Sequence, residues 1–240
     1  MAELSVGILI PLFGTTLGAL LVFFMKKRMD STIKKILKGF AAGVMLAASI
    51  WSLILPSIDL SGDNPYTCFI PATAGFIVGM VGLMGLDVFL SKKKKNLNLM
   101  NFAVIVHNIP EGLSVGVAFA AALKGDTIAM TAAFALSLGI GIQNIPEGSI
   151  VSLNMLPYCS KKRSFWIGFL SGVVEPIASV LAVLLIYLIE PILPYCLSFA
   201  AGAMMYVVVD ELIPDSNGLV GTSGFCIGFC IMMILDVMLG

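Results

Sequence analysis

Charge is the scarcest ingredient of this 240-residue chain: Asp, Glu, Lys and Arg make up only 12% of it, about half the proportion usual in soluble globular proteins. Histidine occurs once, at position 107, and tryptophan twice. The five cysteines (Cys68, Cys159, Cys196, Cys226, Cys230) are odd in number and contain no C-x-x-C pair, so neither a disulfide framework nor a thiolate metal site is indicated. Cys68 and Cys196 both fall near outer helix ends, and a disulfide between them would need Cα atoms within about 7 Å. The phosphate-binding pattern G-x-x-x-x-G-K-[ST] is missing, which excludes direct use of ATP through such a loop. A single His also excludes the H-E-x-x-H arrangement of metalloproteases, which places two on one helix. Lys+Arg and Asp+Glu balance at 14 each, so no basic excess points to a nucleic-acid partner.

What fills the chain instead is apolar: 59% hydrophobic residues and a mean hydropathy of +1.03. These residues fall in eight blocks, roughly 4–25, 36–55, 68–90, 99–122, 127–154, 165–189, 194–213 and 219–239. A helix crossing the hydrocarbon core needs about 20 largely apolar residues. The expectation is therefore an all-α membrane protein, one transporter-like domain of eight transmembrane helices over residues 1–240, with no sizeable soluble part. Lys26, Lys27, Arg28, Lys34, Lys35 and Lys38 follow the first block, Lys92 to Lys95 the third, and Lys161, Lys162 and Arg163 the fifth. Only Lys124 falls elsewhere. Positive charge marks the cytoplasmic side, which puts both termini outside. The seventh loop carries no Lys or Arg and follows by alternation alone. The Lys92–Lys95 run reads as a topological anchor in contact with anionic lipid.

Two internal repeats stand out. Phe40-Ala41-Ala42-Gly43-Val44-Met45 in the second block matches Phe199-Ala200-Ala201-Gly202-Ala203-Met204 in the seventh, and each is followed by a Pro and then an acid. These blocks run in opposite directions across the membrane, as an inverted repeat requires, and transporters place substrate sites at the interface of such repeats. The second repeat is sharper: His107-Asn108-Ile109-Pro110-Glu111-Gly112 in the fourth block and Gln143-Asn144-Ile145-Pro146-Glu147-Gly148 in the fifth. Each carries a carboxylate, an amide and a proline into an apolar span.

Asp87, Glu111, Glu147, Glu175, Asp210, Glu211 and Asp236 all lie within the apolar blocks, without an evident Lys or Arg partner. A charged side chain at the centre of a membrane helix costs about 2.5–3.5 kcal/mol, so Glu111, Glu147 and Glu175 together cost roughly 8–10 kcal/mol if unpaired. They must be protonated, hydrated or bound to a cation. Residues four apart share a helix face, which pairs His107 with Glu111 and Gln143 with Glu147, while Asn108 and Asn144 border the same faces. Pro110, Pro146 and Pro176 each lack an N–H, so each predicts a kink that frees a backbone carbonyl (Val106, Ile142, Gly172) beside these ligands. One imidazole, three carboxylates and several amide oxygens suit a divalent metal such as Zn²⁺, Fe²⁺, Mn²⁺ or Cd²⁺. Two adjacent sites sharing Glu111 and Glu147 fit the spacing, and Met45 is a candidate soft ligand.

The paired motifs, with Glu175-Pro176 in the sixth block, resemble the ZIP (Zrt/Irt-like) family of divalent metal transporters, and Gly39 to Pro56 and Phe199 to Pro214 are similar to the second and seventh helices of its compact prokaryotic branch. The resemblance implies metal uptake into the cytoplasm across a cell membrane, without cofactor or catalysis. It implies an inverted repeat of three helices on either side of a central pair (3+2+3), and a homodimer. It also implies a binuclear centre. His107, Glu111, Gln143, Glu147 and Met45 would line one metal position, and Asn108, Glu111, Asn144, Glu147 and Glu175 its neighbour, with Asp210 and Glu211 on the exit path. Many members have a second His where this chain has Gln143, and some have an acid where it has Asn144. The long His-rich cytoplasmic loop of many eukaryotic members is missing. Two rival readings remain open: a proton- or sodium-coupled carrier of an organic substrate, which leaves the doubled motif unexplained, and an intramembrane metal-dependent hydrolase.

Overall fold

A computed structural model describes residues 2–24, 30–91, 97–124, 130–185 and 192–239, with side chains over the same ranges except at 2, 90, 91, 97–107, 124, 154 and 239. Lys26, Lys27, Arg28 and Lys92 to Lys95, and the side chains of His107 and Lys124, therefore lie outside the described residues. Within them the chain is helical, with no strand. Eight helices follow in order: α1 (Ala2–Phe24), α2 (Ser31–Asp59), α3 (Phe69–Ser91), α4 (Leu97–Lys124), α5 (Met130–Met155), α6 (Lys161–Leu184), α7 (Leu193–Asp215) and α8 (Leu219–Leu239). Six of them, α1, α2, α3, α6, α7 and α8, are long and apolar enough to cross a membrane. The other two carry the amide-and-carboxylate repeats.

Two details depart from expectation. Helix α2 begins at Ser31, about one turn earlier than its apolar block, because Asp30 caps it: the carboxylate accepts the Thr32 N–H at 2.9 Å. That bond holds the Asp30 carboxyl below its usual range. Lys38, counted with the first-loop charges, lies two turns inside this helix and is buried, so the first-loop reading of that residue is wrong and one acid cluster does have a basic neighbour. Second, α4 and α5 remain helical through Pro110 and Pro146; the bonds flanking each missing N–H suffice, and only α6 is interrupted, at Val173, three residues before Pro176. All five cysteines are free thiols, and Cys68 and Cys196 do not pair.

In α2 and α7 the consequence of proline lies upstream. Ser49–Ile54 and Val208–Leu212 are π-helical turns placed just before Pro56 and Pro214. The proline ring would clash with the carbonyl four residues earlier, and widening that turn relieves it.

Glycines set the packing. A Cβ on Gly43 would stand 2.1 Å from the Phe225 carbonyl oxygen of α8, and one on Gly202 2.1 Å from that of Phe76 on α3. The return contacts match: Gly228 meets Phe40 O at 2.1 Å and Gly79 meets Phe199 O at 2.0 Å. The partners share a pattern the sequence reading overlooked, Gly75-Phe76-x-x-Gly79 on α3 and Gly224-Phe225-x-x-Gly228 on α8. Helices α1, α4, α5 and α6 are joined in the same way. Gly112 and Gly116 face the Glu175 and Ser179 carbonyls of α6, Gly148 faces Thr15 O of α1, and Gly14 faces Gly141 O of α5. Between the two groups the corresponding close approach is Gly139 to the flexible Met232 thioether.

The ends of the bundle are also defined. Lys35 donates to Asn217 Oδ1 at 3.0 Å, Lys38 pairs with Asp215, and Lys161 donates to Phe23 O at 2.9 Å. The first, fifth and seventh loops therefore share one end. At the other, Ser57 of α2 donates to Pro194 O of α7 at 2.7 Å.

Candidate metal centre

The doubled motif places its polar residues at the junction of α1, α4, α5 and α6. Asn108, Glu111, Gln143, Asn144 and Glu175 are each 0–1% exposed. The closing glycines explain the depth, because Gly112 and Gly148 let the α6 and α1 backbones approach at the level of the carboxylates. Glu175 is held by neutral donors: Oε1 accepts from Asn108 Nδ2 at 2.9 Å and Thr15 Oγ1 at 3.3 Å, and Oε2 accepts from Asn144 Nδ2 at 2.7 Å. Both amides are anchored further, Asn108 by donating to Ser171 O at 3.0 Å and Asn144 by donating to Pro11 O at 3.3 Å.

The oxygens facing the other way have no such partners. Asn108 Oδ1, Glu111 Oε2 and Gln143 Oε1 are buried and accept no hydrogen bond. An unmet buried acceptor costs about 1–3 kcal/mol, more when charged. Two of them, on Glu111 and Gln143, stand with the Glu147 carboxylate on one surface, where a cation can satisfy them. A cavity of about 60 Å³ opens on it, lined by Met45, Glu111, Gln143 and Glu147 and continuing past Lys38 to Glu211. Each helix reaches the cavity in register: Lys38, Ala41 and Met45 on α2, Gln143, Pro146, Glu147 and Ile150 on α5, Val207 and Glu211 on α7.

Of the residues singled out in the sequence, Met45, Glu111, Gln143, Glu147 and Glu211 line this cavity. Asn108, Asn144 and Glu175 lie behind it as a hydrogen-bonded layer. Asp210 does not line the cavity. It is exposed, beside Tyr206, one position and about 100° around the helix from Glu211. Among the described residues no three His, Cys, Asp or Glu side chains form a ready cluster; the donor set here mixes carboxylate, amide and thioether. Sequence reasoning missed Thr15 and Lys38. Lys38 had a usable signal, since it is seven residues before Met45 and so on the same face once the helix is extended upstream. Thr15 had none, as its role depends on α1 meeting α6.

A family model described as ZIP zinc transporter matches residues 94–236, more than half of the chain and, of this centre, the residues from Asn108 to Glu211. The chain belongs to the ZIP family. Its similarity to curated members extends beyond that model. It is 34% identical over 316 aligned positions to zinc transporter ZIP11 of Xenopus tropicalis, covering 94% of each chain. It is 33% identical over 247 positions to zinc transporter ZIPB of Bordetella bronchiseptica, covering 94% of this chain and 78% of the relative. It is 31% identical over 223 positions to zinc transporter GufA of Myxococcus xanthus, covering 84% and 85%. ZIP membership also accounts for the intramembrane acids without an enzyme active site.

Proposed function

We propose that this ZIP protein carries divalent transition metal, zinc foremost and with iron, manganese, cadmium or cobalt as further substrates, into the cytoplasm of a cell bounded by the membrane it spans. The observation that carries the reading is the pair of unpartnered buried oxygens on Glu111 and Gln143, two residues that line one cavity with Glu147 and Met45. A carrier of organic substrate needs room, and a cavity of about 60 Å³ that brings Glu111, Gln143 and Glu147 together suits an ion. His107, with Met45, Glu111, Gln143 and Glu147, completes the first metal position. The second position, formed by Asn108, Glu111, Asn144, Glu147 and Glu175, opens when the amides release Glu175.

All eight helices span the membrane with both termini outside. The support is the shared end of the first, fifth and seventh loops, which carries Lys34, Lys35, Lys161, Lys162 and Arg163 and is the cytoplasmic end by the charge rule. An inverted repeat exchanges α1 with α6, α2 with α7, α3 with α8 and α4 with α5. It is supported by the paired π-turns, and by α2–α8 contacts that repeat as α7–α3. The cavity extends from the metal position toward the basic end, so the conformation is inward-open. Glycine-to-backbone contacts lie within the group α1, α4, α5, α6 or within α2, α3, α7, α8, which supports alternating access by movement of one group against the other. The driving force is the metal gradient plus the membrane potential, about 4.6 kcal/mol for two charges at 100 mV. Gly82 and Gly85, open on the outer side of α3, offer a small-residue face for a second copy in a homodimer.

Zn²⁺ uptake into proteoliposomes under an inward gradient tests the reading, with Cd²⁺, Fe²⁺, Mn²⁺ and Co²⁺ as competitors. Saturable uptake reduced by competitors is expected, and uptake no faster than in protein-free vesicles would remove the proposal.

A further inference from the structure

Lys38 is a buried lysine in a cavity for cations. Its side chain is 8% exposed, it lies seven residues before Met45 on the same face of α2, and it lines the same cavity as Glu111, Gln143 and Glu147. A buried ammonium is costly unless paired. Here two acids from α7 are in reach: Asp215, in direct contact, and Glu211, with Oε1 3.8 Å from Nζ. Glu211 is itself a wall of the cavity, whereas Asp215 is outside it, with a side chain 55% exposed. A metal leaving Glu147 toward the basic end meets Glu211 as the next carboxylate, and meets Lys38 already beside it.

We propose that Lys38 is a tethered counter-cation that competes with the metal for Glu211. When metal reaches Glu211, repulsion moves the ammonium fully onto Asp215. When metal departs, the flexible four-carbon stem lets the ammonium return, so Glu211 is never left to recapture metal from the cytoplasmic side. Lys38 thus shortens the dwell of metal at the inner mouth and opposes rebinding, with Asp215 as its resting partner. The role rests on the inward path proposed above.

The test is the initial rate of radiolabelled Zn²⁺ uptake into proteoliposomes preloaded with increasing unlabelled Zn²⁺, which inhibits by occupying the inner mouth. Lys38→Met should lower the half-inhibitory internal concentration about tenfold, a modest value for the loss of one close charge pair. Lys38→Arg should retain the parental value. Glu211→Gln added to Lys38→Met should raise it again, because the freed carboxylate is gone; a purely structural role for Lys38 does not predict that reversal. Asp215→Asn, a change at an exposed side chain, tests the same point if Lys38→Met does not fold: Lys38 stays on Glu211 and internal inhibition weakens. Unchanged inhibition in Lys38→Met, or in Asp215→Asn where Lys38→Met fails to fold, overturns the assignment while leaving the transport reading intact. Absence of uptake by the parent chain overturns both.

Discussion

At the scale of single residues, the centre divides its carboxylates into two kinds. Glu175 is saturated by Thr15, Asn108 and Asn144, whereas Glu111 keeps an oxygen without a partner. Asn108 spends its amide N–H groups on Glu175 and Ser171 and keeps its oxygen without a partner. Replacing Thr15 by Val removes one donor at nearly constant shape. The bond is long, and the expected loss is about 1–2 kcal/mol, measurable as a lower unfolding temperature in detergent; an unchanged temperature would mean that the two amides alone satisfy Glu175. Gln143 offers the complementary test. Its Oε1 is buried without a partner and the residue lines the cavity, so Gln143→His puts an imidazole where an amide was, and imidazole suits Zn²⁺ better. Titration calorimetry should show Zn²⁺ bound at least about tenfold more tightly, 1.4 kcal/mol, and equal or weaker binding would show that position 143 does not ligate.

At the scale of elements, glycine decides which helices touch. Gly202→Val would drive a Cβ to 2.1 Å from the Phe76 carbonyl, and because backbone cannot yield as a side chain does, α3 and α7 must separate at a cost of about 1–3 kcal/mol or more. Gly82→Ala, on the same pair of helices but with nothing within 4 Å, should be neutral or stabilising by up to about 1 kcal/mol. Thermal unfolding of the two variants side by side would expose an error in the α3–α7 packing if they moved together. Elements were the most legible level of the sequence. Eight apolar blocks located eight helices to within a turn at most ends, since burial in lipid imposes length and hydropathy directly. Proline was less legible: a missing N–H can be absorbed in a continuous helix, met by a break or met by a π-turn, and α4, α6 and α2 each resolved it differently. Polar residues were legible as a set, because ionisable groups are rare in such helices. Their division into cavity wall and supporting layer was not, as it depends on how Thr15 and Glu175 meet across α1 and α6. Lys38 was misplaced for a plain reason: a lysine near a polar break looks solvated until the helix register beneath it is known.

At the scale of the whole molecule, the balanced formal charge separates into two populations. Among the described side chains positive charge gathers at one end of the bundle, and negative charge penetrates it, meeting Lys38 where the two populations touch. That arrangement predicts a sidedness. Cysteines introduced at Lys35 and Asn217 should be labelled by an impermeant reagent only from the cytoplasmic side, and one at Asp63 only from outside; labelling of Lys35→Cys from outside would invert the topology. It also predicts where transport fails. The most direct measurement is Zn²⁺ uptake into proteoliposomes by the parent chain, Glu111→Ala and, as an exposed-acid control, Asp63→Ala. The account predicts parental uptake for Asp63→Ala and at least a tenfold loss for Glu111→Ala, about 1.4 kcal/mol or more of lost stabilisation; parental uptake by Glu111→Ala in correctly folded protein would contradict it.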